Sequence, residues 1–85
     1  MSEDNDLGVG IENIWRQLLD QPINDSSDFL SLGGHSLLAT QMVARVNKSY
    51  DMRLPVRLVF DHPTLGEFIA VARESRRAGP KGGVR

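Results

Sequence analysis

The residues with the clearest chemical potential form the run Gly33-Gly34-His35-Ser36-Leu37. The two glycines allow a sharp turn and leave the start of the next segment sterically open. Ser36 would then present its hydroxyl at the N-terminus of a helix, where free N–H groups and the helix dipole favour negative charge. A phosphate ester formed on that hydroxyl would be stabilised by the same field. Taken alone, however, these five residues are better explained by a plain N-cap serine after a glycine turn.

The sequence also contains the residue types of a hydrolase triad, namely Asp28, His35, Ser36 and His62. His35 and Ser36 are neighbours in the chain, so their side chains leave the backbone in different directions and pair poorly as base and nucleophile. His62 precedes Pro63 in a polar turn, where a solvated histidine is expected. Two histidines without a cysteine make a poor metal site. We therefore expect no catalytic residue and no metal ligand in this chain.

The composition argues against DNA-binding, disulfide-bonded, zinc-binding and membrane-spanning proteins. The 85 residues, with 10 basic and 11 acidic side chains and a net charge of −1, suit one small domain and lack the basic excess of a dedicated DNA binder. Because the chain contains no cysteine, a disulfide framework, a zinc ribbon and a thiol of its own are excluded. No apolar run approaches the roughly 20 residues that cross a membrane, and the acidic N-terminus does not resemble a signal peptide. A soluble, cytoplasmic protein is expected.

Three apolar stripes predict the helices that position Ser36. The first covers residues 11–19 and ends before Pro22, the second runs from Ser36 to about Tyr50, and a capping box at residues 64–67 begins the last. Residues 54–60 fit a short helix or a strand, and periodicity does not distinguish the two in so short a run. A small helical bundle is the architecture that these elements favour.

The remaining segments define the expected domain limits. The loop of residues 23–35 is long for a helix connection and carries Phe29, Leu30 and Leu32, so we expect it to be ordered and to pack on the helices. Residues 1–7 are predicted to form a flexible tail and residues 8–74 the folded domain. Residues 75–85 are rich in Gly, Lys and Arg, which predicts a flexible tail or linker.

A DNA-binding helix-turn-helix is an alternative, because nine of the ten basic residues follow residue 35. The predicted loop is much longer than the 3–4-residue turn of that motif. The exposed face of the second helix offers only Gln41, Arg45 and Lys48. We therefore expect no nucleic-acid partner.

Residues 28–39, DFLSLGGHSLLA, resemble the signature of peptidyl carrier (thiolation) domains of nonribosomal peptide synthetases. Residues 11–19 resemble the first helix of that family, including Trp15, and residues 54–60 and 63–65 resemble its third and fourth helices. The resemblance covers most of residues 11–72 in the right order and spacing. Leu30 stands where the family often has a second phenylalanine, which is a packing change.

The resemblance implies an all-α fold, a small four-helix bundle of the acyl-carrier-protein type with a long ordered loop between helices 1 and 2. Residues 56–60 would be helical. A phosphopantetheinyl transferase would move 4′-phosphopantetheine from coenzyme A onto the Ser36 hydroxyl, and the thiol of that arm would hold an aminoacyl or peptidyl thioester. Adenylation, condensation, and thioesterase or tailoring domains would meet the arm in turn. The chain itself would be a monomer without catalytic activity.

The surface expected to contact these partners lies around the serine. Leu37 is the natural exposed apolar contact beside the arm, the alternative being burial against Leu32, and His35 is expected to tune partner contacts. The full set predicted for partner recognition is Leu32, Gly33, Gly34, His35, Leu37 and Leu38.

The type of carrier follows from the second helix. Carriers of fatty acid synthesis resemble this fold but tend to have acidic residues along that helix and Asp before the serine. Residues 36–50 contain no Asp or Glu, and His35 precedes the serine. This favours a peptidyl carrier, with a polyketide carrier as the alternative.

Overall fold

The part of the chain that the structure describes contains four helices joined by loops. The computed structural model covers the backbone of residues 3–78 and the side chains of residues 7–76. The helices are α1 (Glu3–Leu19), α2 (Ser36–Tyr50), α3 (Arg57–Asp61) and α4 (Leu65–Ala78). No strand occurs in residues 3–78, where a single isolated bridge pairs Asp28 with Thr64. The predicted all-α four-helix bundle is confirmed, and residues 57–61 are helical, as the family resemblance implied. No helix in residues 3–78 has the length and apolarity needed to span a bilayer.

Aromatic side chains from three segments meet in the core. Trp15 of α1 is fully buried and stands edge-on to Phe29 of the long loop, with ring centroids 5.0 Å apart and an interplanar angle of 68°. Phe68 of α4 also lies against Trp15, at 6.1 Å between centroids. Such offset aromatic pairs stabilise a core beyond the apolar area that they bury. The loop that precedes Ser36 is therefore attached to the bundle through Phe29.

Helices α2 and α4 both run antiparallel to α1. Arg45 donates from Nη1 to Oε1 of Gln17 at 3.0 Å, while further along α2 the ring of Tyr50 lies directly over Gly10. Gly8, in the first half of α1, faces the Arg73 side chain of α4. The start of α1 and the ends of α2 and α4 thus lie together, which we call the far end. Ser36 and the long loop lie at the opposite end, the loop end.

The folded part extends beyond the predicted limits in both directions. Residues 1–7 were expected to form a flexible tail, but α1 begins at Glu3 and Leu7 is fully buried. The physical reason is periodicity, since Leu7 lies one turn before Ile11 and continues the same apolar stripe. At the other end α4 continues to Ala78, so residues 75–78 of the expected tail are helical. Residues 79–85 lie outside the described residues.

Local hydrogen bonds fix the ends of the helices. The Glu67 N–H donates to Oγ1 of Thr64 at 3.2 Å, which confirms the Thr64 half of the predicted capping box. Helix α2 ends at Tyr50, and the φ of 55° at the C-cap residue Asp51 turns the chain out of the helix. Asn47 then exchanges two hydrogen bonds with the backbone of Leu54, at 2.9 and 3.1 Å, and so fixes the chain that leads into α3.

Candidate functional site

Ser36 is exposed at the loop end, as the first residue of α2. His35 is the N-cap, with extended backbone (φ −131°, ψ 179°) and no hydrogen bond from its side chain to the helix. The interpretation of the five residues alone, with Ser36 as the N-cap, is wrong by one residue. The difference matters, because a capping hydroxyl would be occupied by a backbone N–H. The Ser36 hydroxyl makes no hydrogen bond to the described residues and is free to react.

The backbone around Ser36 favours an anion on its hydroxyl. The first N–H groups of a helix have no partner within the helix, and in α2 no side chain caps them. The first turn of α2 also contains no acidic residue that would repel a phosphate. An exposed hydroxyl, unpaired N–H groups and the positive end of the helix dipole therefore coincide. These features fit a phosphodiester on Ser36.

The two glycines before Ser36 serve different purposes. Gly33 has a φ of +100°, which side-chain-bearing residues rarely adopt, and a Cβ there would meet no atom within 4 Å. Gly34 is buried, and a Cβ on it would lie 2.3 Å from the ring of Phe29 and 2.6 Å from the Phe29 carbonyl oxygen. The Gly34 N–H donates to that same carbonyl at 2.9 Å. Gly33 thus allows the turn, and Gly34 allows the turn to close on the core.

The segment that leads into α4 holds the long loop in place. Phe29 donates its N–H to the Pro63 carbonyl at 2.8 Å, and Leu65 donates to the Ser27 carbonyl at 2.9 Å. Gly66 donates to the Asp25 carbonyl at 3.0 Å. The loop is thereby ordered on the helices, as its apolar residues predicted. The position of Ser36 depends on α4 as well as on α2.

The residues predicted for partner recognition differ in exposure. Leu37 is 62% exposed, and Gly33 and His35 are also at the surface. Leu32 and Leu38 are half-buried and pack against the core. Gly34 is buried, so any effect that it has on partners passes through the shape of the turn. The expected exposure of Leu37 is confirmed, while its role as a contact stays a prediction.

Outside the set predicted for partner recognition, α3 and the long loop each have one exposed apolar side chain. Phe60 of α3 is 45% exposed and Leu30 of the loop is 37% exposed. Both belong to segments whose other apolar residues are partly or fully buried, so composition alone gave no signal. Their exposure follows from the geometry of a five-residue helix and of the loop.

The side chains that the sequence suggests for a hydrolase triad are not joined by hydrogen bonds. No hydrogen bond in the described part of the chain joins two of the side chains Asp28, His35, Ser36 and His62, and Asp28 instead accepts from the Ser31 N–H at 3.0 Å. The side chains that the structure describes, those of residues 7–76, include no cluster that could hold a metal ion. Helices α1 and α2 are separated by residues 20–35, which is too long a connection for a helix-turn-helix.

The structure is a four-helix bundle with an unpaired serine hydroxyl at the start of its second helix. This is the arrangement expected of a carrier domain. The family described as "Phosphopantetheine attachment site" matches residues 10–72 of this chain. The chain belongs to that family, whose members carry covalently attached 4′-phosphopantetheine. The family resemblance stated from the sequence is confirmed.

Relatives of known function are large synthetases. One polypeptide of the linear gramicidin synthase of Brevibacillus parabrevis is 49% identical over 55 residues, which cover 64% of this chain. A second polypeptide of the same synthase is 43% identical over 70 residues, or 78% of the chain. Tyrocidine synthase 3 of the same organism is 35% identical over 74 residues, or 86% of the chain. The chain spans about 1% of the length of each of these relatives.

Two solved structures share the fold. BlmI, a type-II acyl carrier protein from Streptomyces verticillus involved in bleomycin biosynthesis, superposes with a TM-score of 0.80 at 24% identity, covering 88% of this chain and 92% of BlmI. The docking domain complex PaxA T1-CDD/PaxB NDD of the Pax NRPS superposes with a TM-score of 0.75 at 26% identity, covering 84% of this chain and 69% of that one.

Proposed function

We propose that this chain is a peptidyl carrier domain of nonribosomal peptide biosynthesis, with Ser36 as the residue that bears 4′-phosphopantetheine. The observation that carries the assignment of Ser36 is its hydroxyl, exposed and unpaired at the uncapped start of α2. The family match and the synthetase relatives support the peptidyl type. The absence of Asp and Glu from residues 36–50 agrees with it.

The attachment step needs a nucleophile from this chain and a transferase from outside. The Ser36 hydroxyl gives up its proton and forms a phosphodiester with the phosphate next to the pantetheine of coenzyme A, as the pyrophosphate bond to the adenosine bisphosphate breaks. The N–H groups at the start of α2 stabilise the negative charge that the ester brings. When bound, the group supplies a terminal thiol that holds an acyl chain as a thioester.

The partners follow from this role. The phosphopantetheinyl transferase loads the domain, and adenylation, condensation, and thioesterase or tailoring domains then act on the aminoacyl or peptidyl thioester. The chain contributes no catalytic group to these reactions and works as a soluble monomer in the cytoplasm. A carrier must leave each partner quickly, so its contacts have to be modest in area. A small exposed surface around Leu37 meets that requirement.

Intact-protein mass spectrometry tests the assignment of Ser36. After incubation with a phosphopantetheinyl transferase and coenzyme A, we expect the wild-type protein to gain the mass of one phosphopantetheinyl group. Ser36→Ala should gain none, because alanine lacks the hydroxyl that forms the ester. The matched control is Ser31→Ala, which removes an exposed serine hydroxyl from the same loop and should be modified like the wild type. An unmodified wild type, or a modified Ser36→Ala variant, would contradict the proposal.

A further inference from the structure

Arg16, in the last turn of α1, and Gln21, two residues after that helix, hold the long loop at its beginning and near its end. Arg16 donates from Nη2 to the Ile23 carbonyl at 3.1 Å. Gln21 donates from Nε2 to the carbonyl of Leu32, eleven residues further along the chain. Asp20, with a φ of 55°, reverses the chain directly after α1 and so brings Gln21 back toward the loop. Gln21 thereby connects the end of α1 to the turn that precedes Ser36.

Phe29, near the start of this turn, donates its N–H to the Pro63 carbonyl at 2.8 Å, whereas the backbone N–H groups of residues 32–34 bond within the loop itself. Leu32 donates its N–H to Asp28 at 3.0 Å, Gly33 donates to Leu30 at 3.3 Å, and Gly34 donates to Phe29 at 2.9 Å. All three close short rings within residues 28–34. The side chain of His35 adds no cap to α2. Gln21 therefore supplies a connection from outside residues 28–34 to the backbone that leads into Ser36.

We propose that Gln21 is a positioning residue for the modification of Ser36. The inference rests on the proposed function, because it concerns the same hydroxyl. We call the glycine turn closed when Gln21 holds the Leu32 carbonyl and the Gly34 N–H bonds to the Phe29 carbonyl. In this closed shape the turn presents Ser36 to the transferase. Without the bond from Gln21, the turn samples other shapes, and the transferase binds only the fraction of molecules that are closed. The apparent affinity of a partner falls by the fraction of competent molecules.

The chemistry of the contact makes the proposal specific. A backbone carbonyl only accepts hydrogen bonds, so the side chain at position 21 has to donate. Glutamate has the shape of glutamine but, when ionised, no donor. Lysine has a long side chain with three donors. Gln21→Glu should therefore loosen the turn, whereas Gln21→Lys should keep it closed.

The experiment compares the loading of Ser36 in the wild type and in Gln21→Ala, Gln21→Glu and Gln21→Lys. We expect the KM of the transferase for Gln21→Ala and Gln21→Glu to rise about three- to tenfold with kcat unchanged, the range of one net hydrogen bond. Gln21→Lys should stay within about twofold of the wild type. Asn13→Ala, which removes an exposed amide from α1, is the matched control and should not differ from the wild type.

Amide hydrogen exchange of the free protein supplies a readout that does not involve the transferase. The Gly34 N–H should exchange faster in Gln21→Ala and Gln21→Glu than in the wild type and in Gln21→Lys. Wild-type loading rates in all three variants would overturn the proposal. So would slow loading with unchanged Gly34 exchange, because Gln21 would then contact the transferase directly. A wild-type protein that is not loaded contradicts the proposed function instead, and the exchange of Gly34 still tests the role of Gln21.

Discussion

Leu37 is the side chain next to Ser36 that is best placed to meet a partner. At 62% exposure it is the most exposed of the large apolar residues that the structure describes. Burying an apolar side chain against a partner is favourable, and leaving it in water contributes little to folding. Its exposure therefore separates a role in binding from a role in the core.

We expect Leu37→Ala to slow loading by the phosphopantetheinyl transferase while changing the free energy of unfolding by less than about 0.5 kcal/mol. Loading is followed by intact mass, and stability by thermal denaturation. Ser49→Ala, an exposed position near the other end of α2, is the control for a general effect on the helix. A large loss of stability would show that Leu37 belongs to the core, and unchanged loading would remove it from the contact surface.

The adjacent glycines offer a second comparison at single residues. Gly34→Ala forces a Cβ into the ring and carbonyl of Phe29, so we expect a loss of about 2 kcal/mol or more in the free energy of unfolding. Gly33→Ala has open space, and the strain of its positive φ should cost only about 1–2 kcal/mol. Urea unfolding measures both. Equal losses, or a smaller loss for Gly34→Ala, would show that the turn does not depend on contact with Phe29.

The sequence indicated Ser36 as the attachment residue through the resemblance of residues 28–39 to carrier domains, because Gly-Gly before a Ser at a helix start is on its own explained by a plain N-cap. It could not predict that Ser36 lies one residue inside the helix, since that depends on the backbone angles of His35. It also could not distinguish the two glycines. The role of Gly34 depends on the ring of Phe29, which lies against Gly34 and also packs on Trp15.

Helix α3 is the element least determined by its own sequence. It has five residues, of which only Val59 is fully buried, and short helices are not stable alone. On the N-terminal side its position depends on Asn47, which fixes Leu54. At the C-terminal end the His62 N–H donates to the Leu58 carbonyl at 2.8 Å, which closes the last turn of the helix itself. The longer helices were predictable because each buries a regular apolar stripe, which α3 is too short to display.

We expect Asn47→Ala to destabilise the protein by about 2 kcal/mol, because the half-buried N–H and carbonyl of Leu54 lose their partner together. The effect should be largest at α3, so the Val59 N–H should exchange faster. Urea unfolding and amide hydrogen exchange check the two statements. Lys48→Ala, the exposed neighbour on the same helix, is the control. An unchanged Val59 exchange rate would show that α3 is held without Asn47.

At the scale of the whole molecule, the structure places the start of the folded unit before residue 8. Leu7 is fully buried, although the family match begins only at residue 10. The acidic, polar residues at the start of the sequence suggested a tail over residues 1–7 instead. A single leucine gives no periodic signal until the helix is known to continue to it. The next residue, Gly8, faces Ile69 and Arg73 of α4, so this part of α1 lies against α4.

Leu7→Ala should lower the free energy of unfolding by about 2–4 kcal/mol, the usual cost of a cavity at a buried leucine. Val9→Ala is the matched control, because Val9 lies on the same turn of α1 and is 58% exposed, so its effect should stay below about 0.5 kcal/mol. Thermal or urea unfolding measures both. Equal losses of stability in the two variants would show that Leu7 does not belong to the core and that the domain starts at residue 8.

The antiparallel arrangement also makes the bundle a lever. The described chain enters α1 and leaves α4 at the far end, whereas Ser36 stands at the loop end, about 20 Å away along the 15 residues of α2. A neighbouring domain joined at the start of α1 or at the end of α4 would hold the bundle at its far end. The loop end would then be free to rotate about that joint. A tilt of about 10° at the joint would sweep Ser36 through roughly 3–4 Å. Small rotations at the joints would thus redirect the attached arm between partners without any change inside the bundle.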